Sequence, residues 1–368
     1  MASTLYTHAL VTSFSCLGAE CPDTCCSGWD MPTDAAQLAL YQAKAPELLA
    51  TVDTATGSMK RAADGKDCGQ LCEGRCSIQT RYGTDFLGDS CHFYPRLVHR
   101  LGETQVMTGS TSCPEMLRLM LDEKRPFMLS ETSLERMPGI RRDILPVGMS
   151  EAEAMATMQE YIAIAQDEVV SPEGMMARII TAACGADAST TTPTTLHPIY
   201  YALALTDAFA DQPRNVRLHD VMMVMEHALG CQFDRAARTL SFAPDAANRV
   251  VQLQARWNID ARAALAPMMR RWIEGQLAMI AFPFGGLTGI TTVGRTAMLV
   301  QHFATMRLAL MCHVAQNGVP PDEATCLRVM QTLSRFMDHL ADAKLTTMIH
   351  RDLGWTDAAA LQALVQSS

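Results

Sequence analysis

Nine cysteines within the first 113 residues hold most of the chemistry this sequence offers. Cys16, Cys21, Cys25 and Cys26 come first, in SCLGAECPDTCCSGW; Cys68, Cys72 and Cys76 follow in CGQLCEGRCSIQ, then Cys91 in CHFYPR and Cys113 in SCPE. Thiolates separated by two to four residues can converge on one metal, because both side chains point inward while the intervening amides turn toward the sulfurs. The chain has 13 cysteines in all, so only four fall in the long remainder. Metal-ligating capacity is therefore concentrated at one end.

Nine thiols exceed the four that a tetrahedral zinc or a four-iron cluster needs, so either two centres form or several cysteines are spare. Zinc sites usually repeat C-x2-C knuckles, which this chain lacks; iron–sulfur clusters tolerate irregular gaps and a distant fourth ligand. Disulfides would require export. Met1 to Val11 has neither a basic region nor the apolar run of a signal peptide, and no stretch reaches the ~18 apolar residues of a membrane span. A cytoplasmic location with no membrane partner is expected, and in that reducing compartment dense thiols point to metal. Cys68-x3-Cys72-x3-Cys76 misses by one residue the triplet of a radical-generating cluster. Neighbouring side chains diverge, so of Cys25 and Cys26 one faces a metal while the other faces a second metal or the core. The loop from Cys68 to Cys76 closes without Cys72, which makes Cys72 the least secure ligand.

Other groups stand near these thiols. Trp29 follows Cys26 closely, and Tyr94-Pro95-Arg96 follows Cys91. Arg96 either offsets the charge of a thiolate-bound centre or staples loops through carbonyls. Glu115 lies beside Cys113. His92 and His99 are possible ligands, although exposed or core-satisfied histidine is commoner.

Three regions must position these residues. Residues 1–125 are expected to form a loop-rich, cysteine-pinned segment with two short helices, one capped at Thr33-Asp34 and one near Pro114 to Leu121, and a polar connection over 50–67. Residues 126–149, with Pro126, Pro138 and Gly139, are expected to be a linker. Residues 150–368 carry helical stripes: Met155, Met158 and Ile162; Val221 to Leu229; Met298 to Val314; and Cys326, Met330, Leu333, Met337 and Leu340. Thr356 is the expected N-cap of a last helix, and Gly174, Gly185, Gly230, Gly285-Gly286 and Gly318 are expected breakers. The predicted fold class is mainly α, an irregular metal-pinned N-terminal segment packed on a helical body whose core includes Met155, Ile162, Val221, Met225, Phe303, Met330, Leu333 and Met337. The 25 methionines read as adaptable core filling. Net charge is −9, with 11 basic against 15 acidic residues in 1–125, so neither portion offers the basic excess of a nucleic-acid binder.

FSCLGAECPDTCCSGWDMPTD, CGQLCEGRCSIQTRYG, SCHFYPR and SCPE, four motifs in order over about residues 10–120, resemble the flagellin lysine-N-methylase family, within a wider class of zinc- or iron-chelating cysteine-cluster proteins. The resemblance implies a protein-lysine N-methyltransferase that transfers methyl groups from S-adenosylmethionine to flagellin. It also implies an iron–sulfur cluster, with four irons in the expected form and zinc as the alternative metal. The family pattern matches Cys16, Cys21, Cys25, Cys26, Cys68, Cys76, Cys91 and Cys113, with Tyr94-Pro95-Arg96 after Cys91; Cys72 departs from it.

Methyl transfer to lysine is an in-line displacement at a sulfonium and needs a neutral amine aligned with the donor. A usual methyltransferase fold advertises the donor site by a glycine-rich loop after a first strand. Gly285-Gly286-x2-Gly289 in FPFGGLTG follows no convincing strand and reads as a turn. Tyr200, Tyr201, Glu226, His227, Trp272 and Glu274 are conceivable pocket residues, each with a plainer reading as core filling or solvated face. Neither a catalytic base nor a donor site is located, and a non-catalytic metal-chelating protein stands as the rival function.

Overall fold

The computed structural model describes residues 4–139, 141–166, 170–185, 216–234, 239–286, 288–337 and 343–367. Helices dominate the described residues from 151 onward, as their apolar stripes require. Helix α1 spans Ala35–Lys44, α2 Pro114–Asp122, α3 Glu151–Ala165, α4 Pro172–Cys184, α5 Val216–Leu229, α6 Ala246–Arg256, α7 Arg262–Met279, α8 Thr292–Asn317, α9 Glu323–Met337, α10 Ala343–Asp352 and α11 Ala358–Ser367. Their starts follow capping chemistry. Asp34 accepts the Gln37 amide at 2.8 Å, and Ser150 and Glu153 form a reciprocal capping box. Before α11 the Ala360 amide donates to Asp357, so the cap is Asp357 rather than Thr356. Gly318, at φ 72°, closes α8 in the left-handed conformation that glycine adopts without strain. Gly174 breaks nothing: it lies in the first turn of α4, where its amide bonds the Ser171 hydroxyl.

Helix α8 is the axis of the body, packed against α4, α5, α6, α9 and α11. Ile162, Val221, Met225, Phe303, Met330, Leu333 and Met337 are buried as expected, while Met155 is only half-buried, at the edge of a smaller cluster with Leu101, Val106 and Met158. Tyr200, Tyr201 and Leu340 lie outside the described residues.

The cysteine-bearing half holds an element that the sequence reading missed, a five-stranded mixed sheet. Its strands are β1 (Leu5–His8), β2 (Arg96–Leu101), β3 (Thr104–Gly109), β4 (Leu129–Thr132) and β5 (Arg142–Asp143), in the order β4-β1-β3-β2-β5. The stretch expected as a linker, 126–149, supplies both edge strands. One face of the sheet enters the main core through Leu5, Val98 and Met107, together with α2, which packs on α7 and α9. Between β1 and β2 the chain builds a separate small core of Met31, Tyr41, Ala45, Leu48, Val52, Met59, Cys68, Ile78 and Leu87. Two minimal hairpins, Val52–Asp53 with Ser58–Met59 and Leu71–Cys72 with Arg75–Cys76, lie in this region. No helix among the described residues is long and apolar enough to cross a membrane.

Candidate metal centre

All 13 cysteines are free. The N-terminal thiols divide into two neighbourhoods. Cys26, Cys68 and Cys76 border or enter the small core, and the Cys68 amide donates to the Cys26 carbonyl at 2.8 Å. Cys91 joins them: its thiol is pushed up to about 12 by burial and then by the adjacent sulfurs of Cys26, Cys68 and Cys76. The Cys91 residue is exposed while its sulfur is enclosed. The Tyr41 hydroxyl, itself pushed up to about 12 by burial, neighbours Cys76, Cys91 and Cys68.

The second neighbourhood lies where the segment meets the body. Cys113 stands at the start of α2, buried in the main core, and its thiol rises to about 11 through burial, with Cys21 and Cys16 as its charged-state neighbours. Cys25 adjoins both neighbourhoods. Its thiol is hydrogen-bonded to that of Cys26, and it lies near the Tyr94 hydroxyl, as Cys113 does. Cys72 sits exposed on its hairpin, opposite Arg75.

Main-chain amides are turned toward these sulfurs. The Gly18 N–H donates to Cys16 at 3.4 Å, and amides of Asp23, Gln70, Gln79 and Met116 donate to Cys21, Cys68, Cys76 and Cys113. Such bonds favour a thiolate over a thiol and so suit metal ligation, whereas burial without a metal keeps these groups protonated. Among the described residues, no set of three or more His, Cys, Asp or Glu side chains is drawn together tightly enough to hold an ion as placed. The donor chemistry, sulfur with inward amides, fits a thiophilic metal; the closing of the ligand shell is not part of this geometry.

The remaining candidates resolve into structural roles. Arg96 donates to the carbonyls of Val11 and Phe14 and lies over the Phe14 ring, which is stapling rather than charge compensation. His92 bonds the Thr84 carbonyl, and His99 is enclosed in the sheet beside Thr108, its pKa lowered to about 4 by burial. Glu115 is held by Arg118 through two bonds. Trp29 donates its indole N–H to the Cys25 carbonyl and tilts against Tyr94. Trp272 is core, Glu274 pairs with Arg271 at 2.5 Å, and His227 is exposed while its carbonyl accepts from Arg249. Glu226 is half-buried on the same helix. Gly285 follows helix α7 rather than a strand, and its carbonyl is tied by Arg295, so Phe282 to Gly286 of FPFGGLTG form a packed turn.

Sequence reasoning missed the grip of the body on the cysteine loop. Asp23, between Cys21 and Cys25, is paired with Arg335 of α9, and Gln331 donates both to Asp23 at 2.7 Å and to the Ser112 carbonyl beside Cys113 at 2.9 Å. Arg335 also donates to the Ser27 carbonyl at 2.7 Å. Below it, Gln276 donates to Thr111 and Thr111 to Ser334, a buried polar seam joining sheet to body.

The chain is 28% identical over 138 residues to the lysine-N-methylases of Salmonella typhimurium and Salmonella choleraesuis, a stretch covering 34% of this chain and 34% of each relative. It is 29% identical over 147 residues to the flagellar biosynthetic protein FliU of Salmonella muenchen, covering 36% of this chain and 87% of that protein. The match thus spans about a third of the length of the curated methylases. No family model matches the chain, and no solved structure does.

Proposed function

We propose that this protein is a protein-lysine N-methyltransferase that uses S-adenosylmethionine to methylate lysine side chains of flagellin, and that its N-terminal cysteines hold an iron–sulfur cluster. The observation that carries the reading is the similarity to proteins named lysine-N-methylase and flagellar biosynthetic protein FliU. The amide-facing thiols of the N-terminal segment support the cluster.

Cys16, Cys21, Cys25, Cys26, Cys68, Cys76, Cys91 and Cys113 are the residues that would hold the group. When bound it would supply covalent ties between stretches of chain far apart in sequence, coupling metal binding to folding. What this chain's own residues do is position those stretches: Asp23 with Arg335 and Gln331 fixes the first loop on α9, and α2 fixes Cys113 against the body. No donor pocket or catalytic base is assigned.

A second reading is a non-catalytic zinc- or iron-chelating protein, favoured by the thiols alone. Incubation of the purified, metal-loaded protein with flagellin and S-adenosylmethionine separates the two. The enzyme adds methyl mass to specific lysines; a metal-loaded preparation that modifies none, together with unchanged filament methylation in a strain lacking the gene, leaves the chelating reading.

A further inference from the structure

Trp29 packs against the small core and Tyr94 against the main core, and their rings meet with centroids 6.3 Å apart and planes inclined at 40°. Each ring is held by its polar end: the Trp29 indole N–H donates to the Cys25 carbonyl, and the Tyr94 hydroxyl shares a 3.0 Å bond with Ser112 Oγ. Ser112 is itself fixed, since its carbonyl accepts from Gln331. With these hydrogen-bonding atoms committed, what the pair still offers a ligand is its π faces, which carry negative charge density. Core filling alone would enclose the rings, as it does for Trp257, Trp272 and Trp355, at 4%, 0% and 1% exposure. Trp29 alone of the four tryptophans stays half-buried, and Tyr94 is half-buried beside it.

We propose that Trp29 and Tyr94 form a binding site for an onium group, a sulfonium or a methylated ammonium, at the joint between the small core and the body. The proposal rests on the methyltransferase reading for the source of that group and goes beyond it in placing the group. When a sulfonium gives its methyl to a neutral amine, the amine lone pair forms the new N–C bond as the S–C bond breaks. The donor becomes a neutral thioether and the acceptor a methylated ammonium, so an onium is present on both sides of the reaction. A sulfonium or a trimethylammonium has no N–H to donate; hydrogen-bond acceptors therefore grip it poorly, and aromatic faces grip it well. The Asp23 carboxylate and the Arg335 guanidinium at this joint are paired with each other, which leaves the rings to set the preference for a cation.

The experiment is calorimetric titration of the full-length, anaerobically purified protein with two matched ligand pairs. One pair is S-adenosylmethionine and S-adenosylhomocysteine; the other is a trimethyllysine peptide and the same peptide carrying the neutral tert-butyl isostere. A preference for the charged member is expected in at least one pair, and that pair names the source of the onium. Trp29→Leu and Tyr94→Leu should each reduce the preference about tenfold, while Trp29→Phe and Tyr94→Phe, which keep a ring, should retain most of it. A general folding defect weakens both members of a pair alike and leaves their ratio unchanged. Where a leucine variant does not fold, wild-type emission decides: Trp29 fluorescence should respond to the charged member and not to the neutral one, and Trp29→Phe should lose that response. A preference unchanged in the leucine variants, or absent from both pairs in the wild type, overturns the site. Flagellin methylation by a wild type without the preference removes the site and keeps the enzyme; a trimethyllysine preference in a protein that methylates nothing keeps the site and removes the enzyme.

Discussion

Arg335 of α9 and Asp23 of the first cysteine loop form an ion pair across the joint between helical body and N-terminal segment, with the two side chains 20% and 13% exposed. Gln331, one turn earlier on the same helix, adds a second bond to the same carboxylate at 2.7 Å. The loop carrying Cys21 and Cys25 is thereby held by residues about 300 positions away. Neither partner stands alone: Arg335 also donates to the Thr24 and Ser27 carbonyls, so the guanidinium holds three groups of one loop at once.

Removing one partner leaves the other partly buried without its counter-charge. Arg335→Met is therefore expected to cost about 1–3 kcal/mol, read as a lower denaturant midpoint with unchanged slope. Asp23→Asn should cost less, since the amide can still accept from Gln331. A double-mutant cycle with no coupling between the two positions would remove the clamp from the account.

Burial of neutral histidine makes the fold acid-sensitive in a defined window. Burial lowers His302 to about 3, and His8 and His99 to about 4, against 6.5 for the free side chain. These folded-state values are depressed. Above about 6.5 both states are neutral and stability is full; as pH falls below it, the unfolded chain binds protons that the folded chain refuses. Stability should fall between about pH 6.5 and 4, each histidine contributing up to about 1.4 kcal/mol per pH unit. His302→Gln should flatten that slope; an unchanged profile would show that His302 titrates freely.

The body's core was legible because a helix repeats its buried face every three or four residues, as α9 does at Cys326, Met330, Leu333 and Met337, whereas α8, buried on every side from Leu299 to Cys312, was legible only as a long apolar helix. The sheet was not. Its strands are six residues or fewer, and β1 pairs in parallel with β3 100 residues on, which no local pattern encodes. One signal was available: RLVHRL and TQVMTG flank the two-residue turn Gly102-Glu103, a hairpin spacing. The cysteines were legible as a group by type and density, but their sorting depends on the small core around Tyr41 and on α9, which meet the thiols only in three dimensions.

Phe303, fully buried on α8, and Met155, half-buried at a cluster edge, test how deeply that pattern reports the core. Phe303→Ala should destabilise by about 3–5 kcal/mol, since it removes a ring from a site closed on all sides. Met155→Ala should cost under about 1.5 kcal/mol, because water already reaches the position. Equal midpoints for the two variants in urea would contradict the placement of α8 as the axis.

Gly285 separates a packing role from a donor-binding role for FPFGGLTG. A Cβ there would fall on the Ile280 carbonyl oxygen, a backbone atom with nowhere to move, whereas Gly289 is open and limited only by its φ of 82°. Gly285→Ala should lower thermal stability more than Gly289→Ala, whether or not S-adenosylmethionine is present. A Gly285→Ala protein that melts like wild type yet loses donor affinity would return this turn to the list of donor loops.

The small core holds Met31, Tyr41, Ala45, Leu48, Val52, Met59, Ile78 and Leu87 besides Cys68, and its hairpins have strands of two residues each. So few apolar side chains rarely hold a fold without a metal or other staple. The sheet, in contrast, shares the main core with the body through Leu5, Val98 and Met107. Stripping metal from the loaded protein should then abolish amide protection across about residues 16–91 while leaving α3, α7, α8 and α9 protected, as followed by hydrogen exchange with mass spectrometry. Protection that falls uniformly over the body would make the whole chain one cooperative unit, and protection that does not fall anywhere would mean that the small core needs no metal to stand.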